Sequence, residues 1–177
     1  MKISVSDIRE TSGLTKDVNL EITDPLDELV LAGPVKVDLR VQSGGDASFN
    51  VRGNVCAQVK LVCSRCAREY VEEVKASVEE RFVPAGSEEL VDNEEVEVGD
   101  LCVFGYENDE LEIDELAREN LIASLPYRPL CCEDCRGICP VCGQNLNEKV
   151  CKCETSEPDV DPRWGDLKKF SVDSPQK

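Results

Sequence analysis

The sequence predicts an α+β fold: an antiparallel β-sheet, open or curled into a small barrel, with a C-terminal helix and a compact cysteine-rich module. Three observations carry this. Several stretches in the first part of the chain alternate apolar and polar side chains with a period of two. A stretch near Asp114 changes to helical spacing. Seven of the eleven cysteines then fall within the 23 residues from Cys131 to Cys153.

Met1 to Ile8 alternates around Ile3 and Val5 and reads as a first strand. Val18, Leu20 and Ile22 continue the period. Val35, Val37, Leu39 and Val41 alternate with Lys36, Asp38 and Arg40, the pattern of a half-buried strand. Ser43-Gly44-Gly45-Asp46 is a turn by composition. From Ala47 to Val62 a long strand follows, with Gly53-Asn54 predicting a bulge or turn near its middle. Tyr70 to Val83 resumes as another long strand; Glu80 sits on its apolar parity and predicts an exposed strand end. Pro84 to Asp100 reads as an acidic loop, with a weak strand at Glu94 to Val98. Ile113, Leu116, Ala117, Leu121, Ser124 and Leu125 share a helical face, acids crowd the first turn, and Pro126 stops the helix. Asp161-Pro162 opens a short tail helix carrying Trp164. The chain divides accordingly into a β body at 1–104 with the acidic loop at 84–100, a helix and connector at 105–130, the cysteine module at 131–153, and a tail at 154–177. Aromatics make up only 5% of residues, so the core should be rich in Val and Leu.

There is no apolar run after Met1-Lys2 and no stretch long enough to span a bilayer, so a soluble cytoplasmic protein without a membrane partner is expected. In a reducing compartment, an odd count of eleven cysteines argues for thiolate metal ligation rather than a disulfide framework. The chain has no histidine. Ser-His-Asp and Cys-His catalysis are therefore impossible within it, and a metal site would be all-thiolate, the closed structural kind. Neither a phosphate-cradling glycine loop nor a nucleophile elbow occurs. A non-enzyme without a small-molecule substrate is the expectation.

The net charge of −17 is unevenly spread. Residues 85–119 hold fourteen acids against Arg118 alone. From Val51 to Lys75 the balance is +2. An acidic segment repels phosphate and attracts basic proteins. Any contact with RNA would have to use Arg52, Lys60, Arg65 and Arg68.

Cys139-Pro140-Val141-Cys142-Gly143 has the form of a zinc knuckle: two thiolates converge on one metal, and the glycine permits close backbone approach. A tetrahedral zinc needs a second pair. Cys132 with Cys135, Cys131 with Cys135, and Cys151 with Cys153 all qualify by spacing, and two metals are an option. Zinc is the first expectation and an iron–sulfur cluster the alternative. Cys63-Ser64-Arg65-Cys66 is a further C-x2-C pair where one long strand ends and the next begins. It can be a pair of buried thiols, a pair recruited to the C-terminal metal, or part of a separate binding surface with Arg65 and Arg68. Cys56 and Cys102 lack partners at metal spacing and read as core residues.

Four elements now occur in order: Val62-Cys63-Ser64-Arg65-Cys66; Leu125-Pro126-Tyr127-Arg128-Pro129-Leu130-Cys131; Asp134-Cys135-Arg136-Gly137-Ile138-Cys139-Pro140-Val141-Cys142-Gly143-Gln144-Asn145-Leu146-Asn147; and Asp161-Pro162-Arg163-Trp164-Gly165-Asp166-Leu167. Together they resemble the bacterial YceD family over essentially the whole chain. The resemblance implies Cys131, Cys135, Cys139, Cys142, Cys151 and Cys153 as metal ligands, with Cys132 at a position where other members usually carry another residue. It implies that Cys63, Arg65 and Cys66 matter apart from that metal, here as a partner-binding surface with Arg52, Lys60 and Arg68. It also implies a role in accumulation of large-subunit ribosomal RNA. The expected function is thus a non-enzymatic ribosome-assembly factor that binds large-subunit ribosomal RNA or a basic ribosomal protein. The alternatives are a zinc-dependent regulatory module outside ribosome biogenesis and a thiol redox sensor.

Overall fold

The strand Val35–Ser43 shows most plainly why the first half is sheet. In the computed structural model, which describes residues 1–87 and 103–153, its side chains alternate buried and exposed over the whole length. The same two-sided pattern builds a five-stranded sheet from β2 (Thr15–Ile22), β3 (Val35–Ser43), β4 (Phe49–Val62), β5 (Glu69–Pro84) and β6 (Val103–Tyr106), in that spatial order. β2 to β5 form an antiparallel meander. β6 joins β5 in parallel, so the sheet is mixed. It is open among the described residues, with β2 and β6 at its edges, rather than closed into a barrel. β1 (Lys2–Ser4) pairs antiparallel with β7 (Glu110–Glu112) in a separate two-stranded ribbon, shorter than the strand expected over Met1 to Ile8.

The helix α1 (Ile113–Ala123) starts directly after β7. Its apolar stripe of Ile113, Leu116, Ala117 and Leu121 is buried. The stripe joins one core with Val35, Val37, Leu39 and Val41 of β3, Val51, Val55 and Val59 of β4, and Val74, Ala76 and Val78 of β5. Each valine, leucine or isoleucine among them contributes on the order of 1.5–3 kcal/mol by leaving water, and each alanine less. Asp114 and Glu115 in the first turn suit the helix dipole. Glu80, expected at an exposed strand end, is half-buried under the helix and accepts a hydrogen bond from Asn120 Nδ2 at 3.2 Å. A carboxylate on the apolar parity is tolerated because a helix side chain reaches it.

Gly53 and Asn54 form no bulge. β4 keeps unbroken register through them, Gly53 opposite Leu39 on one side and Val78 on the other. Cys56 lies half-buried, between Val55 and Ala57 of the buried parity, so it is not a core residue. Cys102, the weak strand at Glu94 to Val98 and the helix expected from Asp161 lie outside the described residues. No helix among the described residues is long and apolar enough to cross a membrane.

Candidate metal centres

β4 and β5 stay paired out to Val62 and Glu69, which makes them the longest hairpin and carries Cys63–Arg68 to its tip. At this tip the Cys63 N–H donates to the Arg68 carbonyl at 2.9 Å and the Ala67 N–H to the Cys63 carbonyl at 2.9 Å. Ala67 has φ of +56°. The loop around Cys139 closes in the same way: the Gly143 N–H donates to the Cys139 carbonyl at 2.9 Å, and Gly143 has φ of +72°. Both are C-x2-C turns followed by a left-handed residue, glycine in one and alanine in the other.

The sulfurs of Cys63 and Cys66 meet those of Cys131 and Cys135, all four within 4.8 Å of one another. Cys63 Sγ lies 3.7 Å from Cys135 Sγ, and Cys66 Sγ lies 3.7 Å from Cys131 Sγ. Zinc–sulfur bonds of about 2.3 Å in a tetrahedron give sulfur–sulfur edges of about 3.8 Å, so these spacings suit a single ion at the centre. Two segments far apart in sequence are joined here. The Ser64 N–H donates to the Pro129 carbonyl at 2.8 Å, and Arg65 Nη1 donates to the carbonyls of Cys135 at 2.9 Å and Glu133 at 3.3 Å. Gly137, with φ of +75°, lets the chain pass where a Cβ would lie 3.1 Å from the Arg65 carbonyl oxygen. Arg65→Ala removes two hydrogen bonds of about 1 kcal/mol each. Its expected effect is a melting temperature lower by about 5 °C, read by circular dichroism against an Arg68→Ala control.

Cys139, Cys142, Cys151 and Cys153 form a second tetrad, with sulfurs again within 4.8 Å of one another. Its members are less enclosed: Cys139 is buried, Cys151 and Cys153 are half-buried, and Cys142 is exposed. The Val141 N–H points at Cys139 Sγ, 3.4 Å away, as backbone amides do around a knuckle thiolate.

The electrostatics of both clusters fit a central cation. In the first, the backbone N–H of Cys131, helped by those of Cys66 and Arg65, brings Cys63 down to about 6. Burial works against ionisation of Cys135, but the Gly137 N–H and the Asn147 amide outweigh it and lower that thiol too. Burial, then the neighbouring sulfurs, drives Cys131 well above the ordinary range. In the second, the N–H groups of Cys142 and Val141 bring Cys139 down to about 6, while the Cys142 sulfur, then burial, pushes Cys153 up to about 12. Four sulfurs this close cannot all ionise alone; a soft dication at their centre lets them.

This arrangement redistributes the residues singled out from sequence. Cys131 and Cys135 sit in one tetrad, and Cys139, Cys142, Cys151 and Cys153 in the other. Cys63 and Cys66, singled out as part of a partner surface, are only 2% and 6% exposed and lie with Cys131 and Cys135 in the first tetrad. Arg65 is turned onto carbonyls of its own chain. Arg52 pairs with Glu79 of β5 at 2.8 Å. Lys60 and Arg68 are exposed. Cys132 is exposed and belongs to neither tetrad, its sulfur 4.0 Å from that of Cys131. One local signal marked the hairpin tip: Cys63-x2-Cys66-Ala67 repeats the knuckle spacing, with alanine standing where glycine is the familiar residue.

Fold and sites together define a mixed-sheet α+β protein in which, among the described residues, the segment after α1 is gathered around two cysteine tetrads able to hold metal ions. The chain belongs to the YceD family, described as large ribosomal RNA subunit accumulation protein YceD, which matches residues 51–171 and so spans both tetrads. It is also similar to uncharacterized proteins of Mycobacterium tuberculosis and Mycobacterium bovis, each 32% identical over 136 residues that cover 74% of this chain and 59% of theirs. An uncharacterized protein of Mycobacterium leprae is 30% identical over 134 residues, covering 76% of this chain and 58% of its own. The chain thus spans about three-fifths of the length of these curated relatives. No solved structure matches it.

Proposed function

We propose that this chain is a non-catalytic assembly factor of the large ribosomal subunit, with a docking module built by zinc. The family description supplies the process. The observation that carries the mechanism is the first tetrad, which takes two sulfurs from the tip of the longest hairpin and two from the segment after α1. Of about two zinc ions per chain, the one in the first tetrad fastens that segment to the body and the other closes the segment on itself. Residues 131–153 are too few to bury an apolar core, so the metal takes the core's place.

Charge favours a basic ribosomal protein over bare RNA as the partner. The chain carries −17, and each zinc held by four thiolates leaves about −2 more at its site. Arg52 and Arg65 are already engaged within the chain. A redox sensor is less favoured, because Cys63, Cys66, Cys135 and Cys139 are buried from oxidants.

Depleting the protein from cells is expected to lower large-subunit ribosomal RNA relative to small-subunit RNA, measured on total RNA. An unchanged ratio would overturn the assembly role. Binding of the purified chain to isolated large-subunit proteins and to large-subunit RNA tells the two partners apart. Retention on RNA that weakens steeply with salt would replace the protein partner with RNA.

A further inference from the structure

We propose that Asn147 couples the two tetrads, so that metal in one raises the affinity of the other. The inference rests on the reading of both tetrads as zinc sites.

The residues between Cys142 and Cys151 do not simply bridge two ligands of the second tetrad. Gly143–Asn147 turns back along Arg136–Cys139, the stretch that links Cys135 of the first tetrad to Cys139 of the second. The Cys139 N–H donates to the Gln144 carbonyl at 2.8 Å, the Leu146 N–H donates to the Gly137 carbonyl at 2.9 Å, and Ile138 bridges Asn145. This return places the Asn147 side chain against the other site.

All the polar capacity of that amide facing the protein is used. Asn147 Nδ2 donates to Cys135 Sγ at 3.3 Å and to Asn145 Oδ1 at 2.8 Å, while Asn147 Oδ1 accepts from the Arg136 N–H at 2.8 Å. Asn145 Oδ1 also accepts the Asn147 N–H at 3.0 Å, which fixes the start of the side chain as well as its end. The donor at sulfur is an outer-sphere contact to a ligand of the first site, carried by a loop whose ends are ligands of the second. Metal at the second site closes that loop and holds the amide on Cys135. Metal at the first site fixes the Cys135 sulfur in place, and the bond from Asn147 to that fixed sulfur holds the loop. The coupling is reciprocal because each binding event stabilises the same contact.

The test uses the full chain, reduced and free of oxygen, with Zn²⁺ set by a chelator buffer and the species counted by native mass spectrometry. Two independent sites, whatever their affinities, leave at least half the molecules singly loaded when half of all sites are filled. Tenfold coupling between sites of similar affinity lowers that share to about a quarter. The expected result is a singly loaded share that is clearly lower for the natural chain than for variants lacking the donor to sulfur. Asn147→Asp keeps the acceptor for the Arg136 N–H but removes the donor to sulfur, and its share is expected to rise to half or above while it still loads both ions. Asn147→Ala should behave in the same way, and the affinity of the first site should fall about tenfold in both variants. A singly loaded share in the natural chain that is no lower than in Asn147→Asp would overturn the coupling and leave the zinc sites standing. Failure of the natural chain to bind Zn²⁺ at all would instead overturn the sites themselves.

Discussion

Replacing Cys63 and Cys66 together by serine is expected to lower the zinc content from about two ions per chain to about one. The remaining ion sits at Cys139, Cys142, Cys151 and Cys153, whose sulfurs all come from one short stretch. The lost ion is the one that joins the hairpin tip to the segment after α1. Without it, the attachment falls to the Ser64–Pro129 backbone bond, the two Arg65 bonds, each of about 1 kcal/mol, and the packing of Tyr70 and Leu130 against the cluster. Structural zinc contributes roughly 10 kcal/mol or more in small modules, which those few contacts cannot replace. Tyr127 and Arg128 are exposed between Ser124 and Cys131, so limited proteolysis should cleave there faster in the variant than in the natural chain. The sheet should keep its circular dichroism, because its core is formed by residues of β2 to β5 and α1. Cys132→Ser serves as the control and should hold about two ions, since Cys132 lies in neither tetrad. Two ions retained after loss of Cys63 and Cys66, or one after loss of Cys132, would reassign the ligands.

The difference between what the sequence discloses and what it hides follows from the range of each interaction. β3 and the apolar face of α1 can be read directly, because alternation and helical spacing are local consequences of which face meets the core. The knuckle at Cys139 to Gly143 can be read for the same reason: its geometry lies within five residues. The sharing of ligands cannot. Cys63 and Cys135 are 72 positions apart, and only the β4–β5 register and the path after α1 bring them together. Seven cysteines clustered in sequence therefore suggest a self-contained module, whereas the fold draws two of its sulfurs to a distant hairpin. Glu80 illustrates the same limit. Its parity says inside and its charge says outside, and Asn120 on another element decides between them. The parallel pairing of β6 is equally silent, since a four-residue strand carries too little pattern to show its direction.

Gly53→Val is expected to be the most damaging single substitution in the β body. Glycine inside a strand is ordinarily a weakness, because it adds backbone entropy and packs nothing. Here it is required twice over. Gly53 has φ of +154°, outside the range that β-branched residues adopt, and a Cβ at this position would collide with the Asp38 carbonyl oxygen and lie 2.8 Å from Leu39 Cα. Those atoms are backbone of β3, held in register on both flanks by Asp38 opposite Asn54 and Arg40 opposite Arg52, so they cannot swing aside as a side chain would. Relief requires separating β3 from β4 at the centre of the sheet, between the buried Val51 and Val55. Overpacking and backbone strain together set the cost at about 3 kcal/mol or more, which is a fall of about 8 °C in melting temperature for a chain of this length. Gly53→Ala meets the same oxygen and should lose most of that stability, whereas Asn54→Ala, on the exposed parity, should change the melting temperature by less than about 2 °C. The zinc content of folded Gly53→Ala should remain that of the natural chain, because the tetrads lie beyond the far end of β4. A Gly53→Val protein that melts like the natural one would show that β3 and β4 do not approach each other this closely.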